Sequence, residues 1–152
     1  GEHCKPHELL EKPCDILVPA AVENVITQAN AKKIRCKVLL ELANHPTSQA
    51  GESELSKKIY VIPDIFANAG GVSASFWEWS LSLGHPRHRI QTPETLEEVR
   101  SKLTAQMQAA TESMLWYSNK YNTDLRGAAW LKATDRISSK LVKKHGGLWA
   151  PK

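Results

Sequence analysis

Hydrophobic positions along the chain change their period halfway. In the first half they come as short continuous runs: Cys14-Asp15-Ile16-Leu17-Val18, closed by Pro19; Lys37-Val38-Leu39-Leu40-Glu41; and Ile59-Tyr60-Val61-Ile62, closed by Pro63. Runs of this length without strict alternation predict strands buried on both faces. A proline cannot donate to a ladder, so it stops a strand. Between the runs, Ala20 to Asn30 suits a short helix, Asn44 to Ser48 a loop with a helix-cap candidate, and Gln49 to Lys57 a second helix. Strands alternating with helices predict an α/β fold, βαβαβ with three parallel strands. Residues 1–12, polar and interrupted by Pro6, read as a leader or loop.

The second half follows helical spacing. Asn68-Ala69-Gly70-Gly71 is expected to break the pattern, Val72 to Leu83 to form a helix, and 84–91 to be a basic loop. Thr92 is the expected N-cap of the next helix, with Pro93 at its first position. From there Leu96, Val99, Leu103, Met107, Ala110, Met114, Tyr117 and Tyr121 recur every third or fourth residue. They predict one apolar stripe on a helix of 93–121, roughly 43 Å long at 1.5 Å per residue. Thr123 or Asp124 caps a last helix whose stripe is Trp130, Thr134, Ile137 and Leu141, ended by Gly146-Gly147. The resulting division is a leader at 1–12, a strand-bearing domain at 13–83, the basic loop 84–91 and C-terminal helices at 92–148.

Composition adds few constraints. The 152 residues are 41% hydrophobic and 24% charged, which is globular and not disordered. No apolar run approaches the ~20 residues of a membrane span. Net charge is +4, with the excess at Arg87, His88 and Arg89 and at Lys140, Lys143, Lys144 and Lys152. Such clusters can serve nucleic acid, but neither carries the interleaved aromatics of a base-stacking platform, so solvated faces are expected. Cys4, Cys14 and Cys36 form an odd, sparse set, which points to a reducing compartment and away from a disulfide scaffold. His3, Cys4 and His7 are expected in a flexible leader and not at a metal, so no metal site is predicted. The chain opens on Gly1 and not Met, so it is expected to be processed or a fragment. A removed organelle presequence would account for that and for the basic charge, making the mitochondrion the expected location and the cytoplasm the other.

Four segments carry a resemblance. They are Cys14 to Ala21 with Glu23-Asn24 following; Glu41-Leu42-Ala43-Asn44-His45-Pro46-Thr47; Val61-Ile62-Pro63-Asp64 running into Asn68-Ala69-Gly70-Gly71-Val72 and Ser75-Phe76-Trp77-Glu78-Trp79; and Leu125-Arg126-Gly127-Ala128-Ala129-Trp130. In order and spacing they resemble the C-terminal part of the glutamate/leucine/phenylalanine dehydrogenase family, nearest to glutamate dehydrogenase, over about residues 8–148. The resemblance implies that the strands are the second half of a Rossmann-type cofactor domain, followed by helices that return toward a substrate domain. It implies that Ala20, Ala21, Asn44 and Asn68 line the nicotinamide end of a cofactor site, and that Ser75 contacts the carboxylate of an amino-acid substrate.

These residue types suit those roles. Small Ala20 and Ala21 let a flat ring approach a strand end, asparagine offers the donors and acceptor of a carboxamide, and N–H groups at Gly70 and Gly71 would suit a carboxylate. Phe76, Trp77 and Trp79 read as core.

The G-x-G-x-x-G fingerprint that brings a backbone to a pyrophosphate is not in these residues. Nor is the substrate domain with the catalytic lysine and aspartate that the resemblance implies. The family usually has glycine where Leu42 and His45 stand, and both are expected to obstruct a cofactor. The leading expectation is therefore a non-catalytic remnant serving as a structural subunit of a larger assembly, with no cofactor of its own. The alternative is one chain of a split dehydrogenase that uses NAD or NADP when a partner chain completes it. A basic nucleic-acid-binding component of a ribonucleoprotein is the third. In a sheet of order 3-2-1-4-5-6 the strand 14–18 would pair with a strand absent here. Other protein chains, or the leader, are expected to cover Cys14–Val18 and part of the 93–121 helix.

Overall fold

The computed structural model describes residues 4–55, 57–82, 93 and 95–145. The basic segment 84–91, the expected cap Thr92, Gly146-Gly147, His3 and Lys152 lie outside the described residues. The chain forms two compact units, 1–104 and 105–152.

In the first unit, helix α1 (Pro6–Leu10) occupies part of the expected leader. Arg35 anchors its end, donating from Nε and Nη2 to the Glu11 carbonyl at 3.1 and 2.9 Å, and Leu10 packs against the core. Strands β1 (Cys14–Leu17), β2 (Cys36–Leu40) and β3 (Tyr60–Ile62) then make a parallel sheet in that order. The apolar runs thus predicted the strands to within a residue or two. Cys14 pairs in register with Cys36, and Val38 with Tyr60. The core is small: Ile26, Ala31, Ile34 and Leu39 are buried, with Leu17, Val25, Leu55 and Val61 packed against them. All three cysteines are free thiols; burial, then the neighbouring Cys14, pushes the Cys36 thiol up.

The helix expected over 20–30 does not form. Asn24 takes a φ of 52°, in the left-handed region. Asn30 accepts from the Thr27 N–H and donates to the Val25 carbonyl, both at 2.8 Å. The Asn30 side chain thus captures backbone groups that a helix would need. Ile26 instead bridges Thr47 in parallel, and a single 3-10 turn at Ala31–Lys33 completes the crossover. The second crossover does hold a helix, α2 (Gln49–Glu54), capped by Ser48, whose hydroxyl accepts from the Gly51 N–H at 3.0 Å.

After β3, α3 (Asp64–Ala67) and α4 (Ala69–Ser82) follow in succession. Gly70-Gly71 therefore lies inside the first turn of α4 and does not break the chain, because the start of a helix demands fewer intrahelical bonds. Phe76 and Trp79, expected in the core, are exposed, with ring centroids 5.8 Å apart. Helix α5 (Leu96–Tyr121) starts three residues later than predicted. Thr95 and Glu98 form the capping box: each side chain accepts the other's backbone N–H, at 3.2 and 3.3 Å.

In the second unit, Asp124 caps α6 (Leu125–His145) by accepting from the Gly127 N–H at 2.7 Å. The buried residues are Met114, Leu125 and Ala128. The Tyr117 hydroxyl donates to the Asp135 carboxylate at 2.5 Å, which holds the phenol above its usual range. The predicted stripe of α6 is exposed: Trp130 and Ile137 are each 60% accessible. Among the described residues β1 pairs only with β2, and Ile16 on it is 58% exposed. No helix of the described residues is long and apolar enough to cross a membrane.

Helix α2 approaches the irregular crossover closely at Gly51. A Cβ built on Gly51 would stand 2.8 Å from the Ile26 carbonyl oxygen and 3.0 Å from the Thr27 Cα. Backbone must move to admit it, so Gly51→Ala is expected to cost about 1–3 kcal/mol despite alanine's better helix propensity. Urea unfolding of both proteins measures this; an unchanged midpoint would show that the crossover is not held against α2.

Candidate functional site

Parallel strands deliver their C-terminal ends to one edge of the sheet, and three loops meet there. The first is held by Pro19, whose carbonyl accepts from both the Leu42 and Ala43 N–H groups at 3.1 and 2.8 Å. This ties the segment after β1 to the segment after β2. The third loop is the α3–α4 junction, where Asn68 ends α3. Between them lies an open cleft of about 480 Å³ lined by Ala21, Leu42, Ala43, Asn44, Asn68, Gly71, Val72 and Ser75.

Four of the five residues singled out from sequence thus share one cleft: Ala21, Asn44, Asn68 and Ser75. Ala20 is exposed beside it but is not among the lining residues. Asn68 Nδ2 donates to Asn44 Oδ1 at 2.7 Å, so the two amides form a pair across the cleft wall. Each amide has two donors and an acceptor with two lone pairs, so donor and acceptor capacity remains on both. The N–H at Gly71 is not free for a carboxylate as expected, since it donates to the Asn68 carbonyl at 3.1 Å. A Cβ on Gly71 would meet nothing within 4 Å, so that part of the wall is bare.

Of the two positions expected to obstruct a cofactor, only one faces the cleft. Leu42 lines it and is 39% exposed. His45 does not line it. Its backbone has a φ of 47°, and its N–H donates to Asp64 Oδ2 at 2.7 Å while its carbonyl accepts from Asn24 at 2.9 Å. The imidazole therefore sits on a residue whose conformation glycine adopts without steric cost. Two further residues escaped the sequence reading. Glu41, fully buried, accepts the Asp64 N–H at 3.1 Å. A carboxylate ending an apolar run was the available signal, since charge that close to a core must be hydrogen-bonded. No group of three or more His, Cys, Asp or Glu residues converges as a metal site among the described residues.

The comparisons with known proteins agree with this geometry. A family model described as Glutamate/Leucine/Phenylalanine/Valine dehydrogenase matches residues 2–146. The glutamate dehydrogenase of Thermotoga maritima is 40% identical over 151 residues, covering 96% of this chain and 34% of that protein. That of Aeropyrum pernix is 42% identical over 142 residues, covering 90% and 32%. Among solved structures, glutamate dehydrogenase from Peptoniphilus asaccharolyticus superposes with a TM-score of 0.71 at 35% identity, over 84% of this chain and 31% of that one. This chain thus spans about a third of the length of the curated relatives it matches.

The left-handed backbone at His45 makes a direct prediction. His45→Gly is expected to stabilise the protein by about 0.5–1 kcal/mol by removing a Cβ clash, and His45→Val to destabilise it by about 1–3 kcal/mol. Urea midpoints of the two variants should fall on opposite sides of the parent. A valine variant as stable as the parent would show that this turn is not left-handed.

Proposed function

The chain belongs to the Glutamate/Leucine/Phenylalanine/Valine dehydrogenase family, and on that footing we propose that its cleft is the nicotinamide end of an NAD(P)-dependent amino-acid dehydrogenase site. The observation that supports this is the meeting of Ala21, Asn44, Asn68 and Ser75 in one cleft beyond the strand ends, where open α/β sheets bind ligands. The residues fit the group. The small Ala21 and the bare wall at Gly71 leave room for a flat ring, and the paired asparagines match a carboxamide in donors and acceptors. Ser75 directs a hydroxyl donor to a substrate carboxylate.

When bound, a nicotinamide supplies the hydride acceptor for oxidation at an amino acid's α-carbon. The residues that line the cleft bind and orient; among the described residues that line it, none has an acidic or basic side chain to move the substrate's proton. The pyrophosphate loop and the catalytic lysine and aspartate are to come from further polypeptide, which pairs with the open side of β1 and covers the exposed stripe of α6. Glutamate is the proposed substrate, because the similar proteins of Thermotoga maritima and Aeropyrum pernix are glutamate dehydrogenases.

Leu42 in the cleft wall favours a second reading. A leucine side chain where the family usually has glycine narrows the ring's seat, as in a dehydrogenase-like structural subunit of a larger, mitochondrial assembly. Sequencing the chains that copurify with the native protein separates the two. A companion bearing G-x-G-x-x-G and a catalytic lysine supports the dehydrogenase, whereas unrelated chains alone support the subunit.

Because the glycine-rich loop that brings backbone N–H groups to a pyrophosphate is not in these 152 residues, the chain alone is expected to bind NAD or NADP weakly and to leave glutamate unoxidised. Calorimetric titration tests this, and a Kd near 1 μM, about −8 kcal/mol, would contradict it. Millimolar nicotinamide mononucleotide should nevertheless shift the NMR signals of the Asn44 and Asn68 side-chain amides. If those signals stay still while others move, the cleft is not the ring's seat.

A further inference from the structure

Asp64 joins the two asparagines of the cleft through their backbones. Its carboxylate accepts the N–H of His45, the residue after Asn44, at 2.7 Å. Its carbonyl accepts the N–H of Asn68 at 3.2 Å. Its own N–H donates to Oε2 of Glu41 at 3.1 Å, and Glu41 has no exposed surface. Glu41 closes the central strand, its N–H donating to the Ile62 carbonyl at 3.1 Å. A chain of contacts therefore runs from the sheet through Glu41 and Asp64 to both sides of the Asn44–Asn68 amide pair.

We propose that Asp64, seated by the buried Glu41, is a positioning residue that holds Asn44 and Asn68 at the spacing at which their amides bond, so that they recognise a carboxamide as one unit. The ligand class rests on the functional reading given above; the positioning does not. The physical reason lies in the loop. Asn44 is exposed, and the residue after it sits at a φ of 47°, a conformation disfavoured for a side-chain-bearing residue. Such a turn persists only where its surroundings hold it. The charge-assisted bond from the His45 N–H to the Asp64 carboxylate is the strong kind. Burial of Glu41 makes its bond to Asp64 costly to break, because a polar group would lose a partner away from water. Asp64 in turn fixes the start of α3, and the next turn ends on Asn68. A side chain that touches no ligand thereby sets the distance between two that do.

NMR of the full 152-residue chain tests this. In the unmutated protein, trans-hydrogen-bond couplings should connect the His45 amide nitrogen to the Asp64 carboxylate carbon, and the Asn68 side-chain nitrogen to the Asn44 side-chain carbonyl carbon. In Asp64→Ala, the His45 amide is expected to exchange at least about tenfold faster. The Asn68–Asn44 coupling should vanish, and affinity for nicotinamide mononucleotide should fall about tenfold. Exchange at Leu39, in the core strand, should not change. Asp64→Asn keeps an oxygen that can accept the same bond, and all three readouts should stay within about threefold of the parent. A coupling between Asn68 and Asn44 that survives Asp64→Ala would overturn the proposal. So would the absence of either coupling in the unmutated protein, which decides the matter even if the alanine variant does not fold. Should the unmutated chain fail to bind nicotinamide mononucleotide while the couplings respond as described, the functional reading falls and the positioning role of Asp64 stands.

Discussion

Parallel pairing of β1, β2 and β3 is the constraint on which the rest of the structure depends. Strands that run the same way send every C-terminal end to one edge, and each must be followed by a crossover before the next begins. The cleft is the space those three exits leave. Pro19, Leu42 to Asn44 and Asn68 come from three loops, yet the sheet brings them within hydrogen-bonding reach of one another. An antiparallel arrangement would have scattered them between opposite ends.

The strands were legible because parallel strands read as short unbroken apolar runs, although β1 and β3, with Ile16 and Tyr60 more than half exposed, are not buried on both faces as expected. Capping chemistry was legible to within a few residues: Ser48 lies in the loop read as holding a cap, and Asp124 is one of the two caps expected for α6. The start of α5 at Leu96, three residues beyond the expected one, is set by Thr95 and Glu98, whose spacing completes a reciprocal pair of bonds. The segment 20–30 misled. Its residues suit a helix by composition, but Asn24 and Asn30 offered the backbone local alternatives, and Ile26 gained a place in the core. Tertiary burial outweighed local propensity.

At the cleft, periodicity and spacing alone would not have picked out Asn44, Asn68 or Ser75. They came from the resemblance, and the structure places them together. Glu41 and Asp64 were quoted within the same segments without a role. Nothing in a linear reading shows that the end of one strand and the start of a helix 23 residues later share a bond. His45 is the opposite case. It stood out in sequence as a bulky replacement for glycine, and its position in space leaves the cleft's lining unchanged.

The register of the sheet carries a consequence for connectivity. Cys36 follows its partner Cys14 by 22 residues, and Tyr60 follows its partner Val38 by 22. One crossover holds a helix and the other is irregular, yet both close loops of equal length. For flexible chains of that size the length-dependent cost of closure is about 2.7 kcal/mol, the same for each. Chain connectivity therefore favours neither edge of the sheet. Whatever difference exists between the persistence of β1 and of β3 must come from side-chain contacts, hydrogen bonds and local stiffness, and the central strand is the shared template against which both loops close.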